Sequence, residues 1–449
     1  MSKNNLDKAR LGIVAVASQD ESGGQRAPEL IAALEKQMKQ KGVEVICAKK
    51  VVWNPADALE VCQDLKSEGI DCVAVLHATW VLDSLTYLLV NKLQVPVALW
   101  AVPYTETFSF ACVHHMGAVL KARGVAYQYI YGLPGDEEAG EKLRIAAEGA
   151  RLCRLASKMN IALMGPRQTW RVAGPQDMSH EEWDFSQTLG TTVVHLEMDA
   201  VLSKVAGLSD EDGEQVLEQL AHRTGKAMCP KSDMLFAAKV YASMKEVMKE
   251  NSLDAVAAEC YPNYDGITNL AASWLSDEGV VIETEGDIAH VMVKELLNCC
   301  RGDGVTMLGE VGSFDKEENT MMLSHGGSCG HYTADSVSKV EIYHSGETGT
   351  YVGTPVKAMP VVTVSNMVGK NGSYKMLISK ARTLAVTDEE WDKAGRRLAL
   401  KLGFDRDVAQ VLDDMLSQGL DHHLVIRQGD FTAQLEQFCD FAGIEKVLL

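Results

Sequence analysis

What this chain lacks already narrows what it can be. Basic residues are in deficit: 43 Lys and Arg against 62 Asp and Glu leave a formal charge of −19. The cationic footprint that nucleic acid or an anionic membrane surface requires is therefore missing, and neither partner is expected. The 11 cysteines contain no CxxC pair, and apart from the adjacent Cys299 and Cys300 they are scattered. Their spacing fits no zinc or disulfide framework, so reduced, packed thiols are expected. No GxGxxG follows the first apolar segment; the loop SQDESGGQRAP holds Gly23 and Gly24 without the spacing of a dinucleotide site. No apolar run reaches the roughly 18 residues of a membrane span, because His77 and Asp83 interrupt the most apolar region. The polar start, MSKNNLDKAR, leads straight into a strand pattern, so no leader peptide is expected and a cytoplasmic location follows. Internal repeats and low-complexity segments are also absent.

What is present is ordinary globular composition, 46% hydrophobic and 23% charged, in a chain long enough for about two to four domains. Residues 1–157 alternate short apolar strands with amphipathic helices: LGIVAVAS, PELIAALEKQMKQKG, VEVICAK, NPADALEVCQDLKSEG, CVAVLHA and onward. Such alternation predicts a parallel, doubly wound sheet. A second β/α run fills 158–303, opening at NIALM and including the long helix DMLFAAKVYASMKEVMKEN. From 304 to 449 the pattern changes to Gly-punctuated alternating strands, among them VTMLGEVGSF and MPVVTVSNMVGKNGSYKMLISKART. The expected fold is α/β: two Rossmann-like parallel domains followed by an antiparallel, barrel-like β domain.

The chemistry concentrates in Val256–Leu297, read as strand, loop, helix, strand, helix. Glu259 ends the first strand, and Glu283, Glu285 and Asp287 follow the second. Strand ends of an open α/β sheet are where ligands bind, and extended chain would put the three later acids on one face. Carboxylates crowded at one edge repel unless a cation or shared proton holds them; solvated acids with ordinary salt bridges are the plainer reading. Imidazoles occur in loop or strand-end context at His325 (LSHGG) and at His422 and His423 (LDHHLVIRQGD). A mixed carboxylate and imidazole set suits Mn²⁺, Fe²⁺, Co²⁺ or Zn²⁺ better than Mg²⁺. His290 and His331 read as structural, and Cys329 as a packed thiol without a base. In the first domain Gln19 and Arg26 lie where a strand-end loop can reach a polyol or an anion. His114 and His115 sit about 100° apart on one helix, so they do not readily face one ligand.

Taken in order, ECYP, ETEGD, LSHGG and HHLVIRQGD resemble the L-arabinose isomerase and L-fucose isomerase superfamily, and the resemblance runs through the whole chain. It implies an aldose–ketose isomerase working through a cis-enediolate, with Mn²⁺ as cofactor and Co²⁺, Fe²⁺ or Mg²⁺ as substitutes. The arabinose-type pattern implies metal ligands at Glu259, Glu285, His325 and His423. The fucose-type pattern implies Asp287 in place of Glu285, and this chain carries features of both. Glu259 and Glu285 are the implied acid/base pair, with Asp287 as the alternative to Glu285. The resemblance further implies a homo-oligomer, trimer or hexamer, whose sites borrow residues from a neighbouring subunit's N-terminal domain, a role open to His115. Gln19 and Arg26 are the other substrate-contact candidates. The sugar is left open between neutral aldoses and an anionic one such as a sulfo-sugar. Two other readings use the same features: a sugar-binding sensor with an α/β crevice, and a metal-dependent lyase or epimerase on a related polyol.

Overall fold

The computed structural model describes residues 7–165, 182–259, 263–302, 304–327 and 329–449. Cys260, Tyr261 and Pro262 of the ECYP motif and residues 166–181 lie outside the described residues. Two compact units emerge. Unit 1 comprises Met1–Leu6, Ala156–Thr432 and Glu445–Leu449; unit 2 comprises Asp7–Leu155 and Ala433–Ile444.

In unit 2, the strands β1 (Arg10–Val16), β2 (Glu44–Cys47), β3 (Cys72–His77), β4 (Val97–Ala101) and β5 (Tyr127–Tyr131) form one sheet in the order β2-β1-β3-β4-β5. Every pairing in it is parallel. The apolar runs of the inner strands β1, β3 and β4 are buried on both faces, because helices cover both sides of a parallel sheet. The strand order reverses at β1/β3, the place where such sheets open a crevice beyond the strand ends.

Among the described residues unit 1 has two sheets. The strands β6 (Asn160–Met164), β7 (Thr192–Leu196), β9 (Ala255–Ala258) and β10 (Val281–Glu283) pair in the parallel order β10-β9-β6-β7, and the short β8 (Lys226–Ala227) falls between them in sequence. The remaining strands are β11 (Thr306–Asp315), β12 (Thr320–His325), β13 (Glu341–Ser345), β14 (Gly349–Pro355), β15 (Met359–Lys370), β16 (Ser373–Leu384), β17 (Leu398–Gly403), β18 (His423–Gln428) and β19 (Glu445–Leu448). Their sheet runs β19-β16-β15-β18-β11-β12-β17-β14-β13-β8, with an additional β16–β17 pairing. That extra pairing closes β16, β15, β18, β11, β12 and β17 into a ring in which every pair is antiparallel. The barrel-like architecture expected for the C-terminal part is thus present, and closure removes the sheet edges that would otherwise lie open.

The helix Ile288–Cys299 explains why the second parallel sheet and the barrel form one unit. It touches β9 and β10 of the former and β11, β15 and β18 of the latter. Its buried residues run from Ile288 continuously to Leu297, Lys294 and Glu295 included. Burial on every side, polar residues included, marks it as an interior helix.

Candidate metal centre

The second carboxylate strand is shorter than alternation alone suggests. β10 stops at Glu283, Thr284 and Glu285 form a turn, and Gly286 adopts φ 70°. Asp287 then N-caps the helix Ile288–Cys299, its side chain accepting from the Ala289 and His290 amides. The expectation that Glu283, Glu285 and Asp287 share one extended face is therefore corrected. A left-handed glycine followed by a capping aspartate outcompetes continued strand, because the cap satisfies orphan helix donors. The three acids still converge, through a turn instead of a pleat.

Four side chains from separate segments meet beside this turn. Glu285, Glu310, His325 and His423 each offer a ligand atom, all within 4.8 Å of one another. His423 opens β18, and its Nε2 lies 3.1 Å from Glu285 Oε2 and 3.8 Å from Glu310 Oε1. His325 closes β12, with Nε2 3.4 Å from Glu285 Oε1 and 3.9 Å from Glu283 Oε1. Glu310 lies on β11 directly opposite His423 in the β11–β18 register, the arrangement that brings facing side chains together on one side of a sheet. Behind them stands a wholly buried group: Asp287 Oδ2 is 3.2 Å from His423 Nδ1 and 2.5 Å from His290 Nδ1. His290 Nε2 faces the His423 carbonyl oxygen at 3.1 Å. Asn366 Nδ2 donates to that same carbonyl and to Asp421.

The charges of these groups are strongly coupled. Burial works against a cationic His423, yet Asp287, Glu285 and Glu310 raise its pKa well above the ordinary imidazole value. His325 is likewise opposed by burial and raised on balance by Glu285, Glu283 and Glu310. For Glu285 burial favours the neutral acid, but the two imidazoles win and hold it far below the usual carboxylate range. His423 lowers Glu310 as well. A cluster that binds protons this way presents two nitrogens and two carboxylates to whichever cation displaces them.

The donor set fits a divalent transition metal. Among the described residues buried His325 Nε2 has no hydrogen-bond partner, and the mixture of imidazole nitrogen and carboxylate oxygen is the one such ions favour over Mg²⁺. Gly327 N–H donates to His325 Nδ1 at 3.2 Å, so ligation through Nε2 of a neutral ring requires that contact to give way. Of the sequence candidates, Glu285, His325 and His423 are brought together. Glu259, fully buried, belongs to neither metal-capable group found among the described residues; its Oε1 accepts from Asn263 Nδ2 at 2.9 Å. Asp287 joins a second such group with His290 and His423.

Sequence reasoning missed Glu310, whose only signal is a lone acid inside the apolar strand pattern TMLGEVG. The remaining candidates lie in unit 2. Gln19 is exposed. Arg26 pairs with Glu106 at 2.8 Å and lies 4.4 Å from the Tyr104 ring centroid. His115 stacks on Trp80 and stands 3.8 Å from Asp83. His331 is held by Asp277 at 2.6 Å, and burial pushes the Cys329 thiol up to about 12, in keeping with structural readings of both.

No family model matches the chain. Among curated proteins it is similar to a sulfoquinovose isomerase of Alkalicoccus urumqiensis, 19% identical over 400 residues, covering 86% of this chain and 88% of that protein. It is also similar to a sulfoquinovose isomerase of Priestia aryabhattai, 18% identical over 413 residues, covering 89% and 90%. Among solved structures, the periplasmic binding protein of an arabinose ABC transporter from Shewanella sp. ANA-3 aligns at 12% identity over 65% of this chain and 84% of that one. Its TM-score of 0.16 is too low to bear on fold or function. The curated relatives are isomerases, the activity class that the four sequence motifs imply.

Proposed function

We propose that this chain is a metal-dependent aldose–ketose isomerase of the L-arabinose/L-fucose isomerase type, with a sulfo-sugar as the favoured substrate. The observation that carries the reading is the convergence of Glu285, His325 and His423 with Glu310 in a chain whose similarity to sulfoquinovose isomerases extends over most of its length. Glu285, His325 and His423 would hold a divalent cation, Mn²⁺ first, with Glu310 or Glu259 as the further carboxylate. When bound, the cation polarises the substrate carbonyl and offsets negative charge developing on O1 and O2.

The chain's own residues carry the protons. Isomerisation moves one proton between C2 and C1 and a second between O2 and O1, through a cis-enediolate. Glu259, whose Oε1 is fixed by Asn263, is the proposed carrier of the carbon-bound proton. Glu285 manages the hydroxyl proton. Two acids in different surroundings suit this division of labour, because proton donors and acceptors need unequal pKa values. Gln19, Arg26 and His115 remain proposed sugar contacts. An anion recognised by Arg26 has to compete with Glu106. A trimer or hexamer is part of the same proposal, and light scattering of the purified chain tests it.

The deciding experiment treats the purified protein with a chelator, restores Mn²⁺, and assays sulfoquinovose beside neutral aldoses in deuterated water. Loss and recovery of turnover, with deuterium at C1 or C2 of the product, supports the proposal. Metal-independent sugar binding without turnover would point to a sensor, and chain-shortened products to a lyase.

A further inference from the structure

The sequence leaves Glu285 and Asp287 as rivals for one inner position, and the geometry separates them by what each oxygen already does. Oδ1 of Asp287 accepts from the Ala289 and His290 amides at 3.1 Å each and so caps the helix Ile288–Cys299. Its Oδ2 stands between two imidazole nitrogens, His290 Nδ1 at 2.5 Å and His423 Nδ1 at 3.2 Å. Asp287 and His290 are both 0% exposed. Glu285 is 19% exposed in its side chain and reaches across to the outward nitrogens, Nε2 of His423 and Nε2 of His325.

A helix cap accounts for only one carboxylate oxygen, and Ser, Thr or Asn would serve equally well. The second oxygen therefore needs another explanation. A carboxylate on Nδ1 fixes which tautomer the ring adopts, leaving the Nε2 lone pair for a cation, and such partners also make the ligand more basic. The backbone of His423 is held from the same side: its carbonyl faces His290 Nε2 and accepts from Asn366 Nδ2, while its amide donates to Asp421 Oδ1 at 2.8 Å.

We infer that Asp287 is a positioning residue, not a metal ligand: braced by His290 and the helix N-terminus, it holds His423 with Nε2 turned toward Glu285, which is the inner carboxylate. The inference rests on the metal-dependent reading proposed above and goes beyond it by assigning the two acids different tasks. It also separates this chain from the fucose-type pattern, in which the aspartate itself is implied as ligand.

The test is binding of Mn²⁺ alone to the metal-free full-length protein, followed by electron paramagnetic resonance of free Mn²⁺. Asp287→Asn keeps an acceptor for the helix amides and removes the carboxylate from Nδ1. It should weaken Mn²⁺ binding about 10- to 100-fold while one equivalent still binds, the usual cost of losing such an outer partner. Glu285→Gln should lose stoichiometric binding altogether. If Asp287→Asn does not fold, His290→Gln provides the second measurement: it loosens the brace without touching the Asp287 carboxylate and should weaken Mn²⁺ several-fold at unchanged stoichiometry. Co²⁺ absorption adds a signature that general destabilisation would not move, since losing an inner carboxylate alters the ligand-field bands and loosening an outer one does so only weakly. Binding abolished by Asp287→Asn but retained by Glu285→Gln overturns the assignment, as does an affinity within twofold of wild type in both Asp287→Asn and His290→Gln. Wild-type protein that binds no Mn²⁺ at all would instead remove the metal-dependent reading on which the assignment stands.

Discussion

At the scale of single residues, the centre sets imidazoles with raised pKa values beside carboxylates with lowered ones. Folded pKa values of His325 and His423 lie above their ordinary 6.5, so in metal-free protein their stabilising contribution is complete below about 6.5 and is lost as pH rises through the raised values. Glu285 is shifted the other way from 4.5, so its contribution is present above about 4.5 and lost as pH falls toward its depressed value. Both signs place the full contribution of these three groups between about 4.5 and 6.5. Because ligation requires neutral imidazoles, Mn²⁺ affinity should climb with pH above 6.5; calorimetric titrations between pH 6 and 9 check this, and a flat profile would count against imidazole ligation. Glu259 supplies a second residue-scale prediction. Its replacement by Gln should lower kcat by about 10²- to 10⁴-fold, the usual worth of a positioned acid or base, with an unchanged circular dichroism spectrum; turnover close to wild type would exclude it as the proton carrier.

At the scale of elements, precision comes from places where a strand must stop. Gly165, at the end of β6, has φ +115°, and a Cβ built there would lie 2.5 Å from Glu259 Cβ and 2.7 Å from Glu259 Oε2. Alanine at this position faces both backbone strain and a collision with the proposed proton carrier. Gly165→Ala should therefore cost about 1–3 kcal/mol in denaturant unfolding and depress kcat more than KM; a variant with native kcat would show that Glu259 tolerates displacement. The elements themselves were largely legible in the sequence, because buried parallel strands and amphipathic helices announce themselves through periodicity. The end of β10 was not: alternation continues through Thr284 and Glu285 on paper, whereas Gly286 and the Asp287 cap settle the turn. Glu310 was equally hidden, since its role depends on lying opposite His423 in a pairing between distant strands.

At the scale of the whole molecule, the proposed centre draws all its groups from unit 1, on segments far apart in sequence. A cation bound there stabilises the native state by mass action, about 2.7 kcal/mol at a concentration 100 times its Kd. Hydrogen exchange with and without Mn²⁺ should show the added protection around Glu283–His290, His325 and His423. Equal protection at these segments with and without the ion would argue that the cluster does not bind it.

By itself the sequence determined the class of the fold, because helical and strand periods and turn residues are local properties; Glu285, His325 and His423, three of the four residues that meet at the centre, were implied by the resemblance of short motifs and not by spacing. Only the tertiary structure decided that β16 meets β17 to close the barrel, that Glu310 stands opposite His423, and that Asp287 turns inward to His290 while Glu285 turns outward. Those outcomes depend on register between strands remote in sequence and on which buried polar atoms find partners, and neither is encoded in the spacing of neighbouring residues.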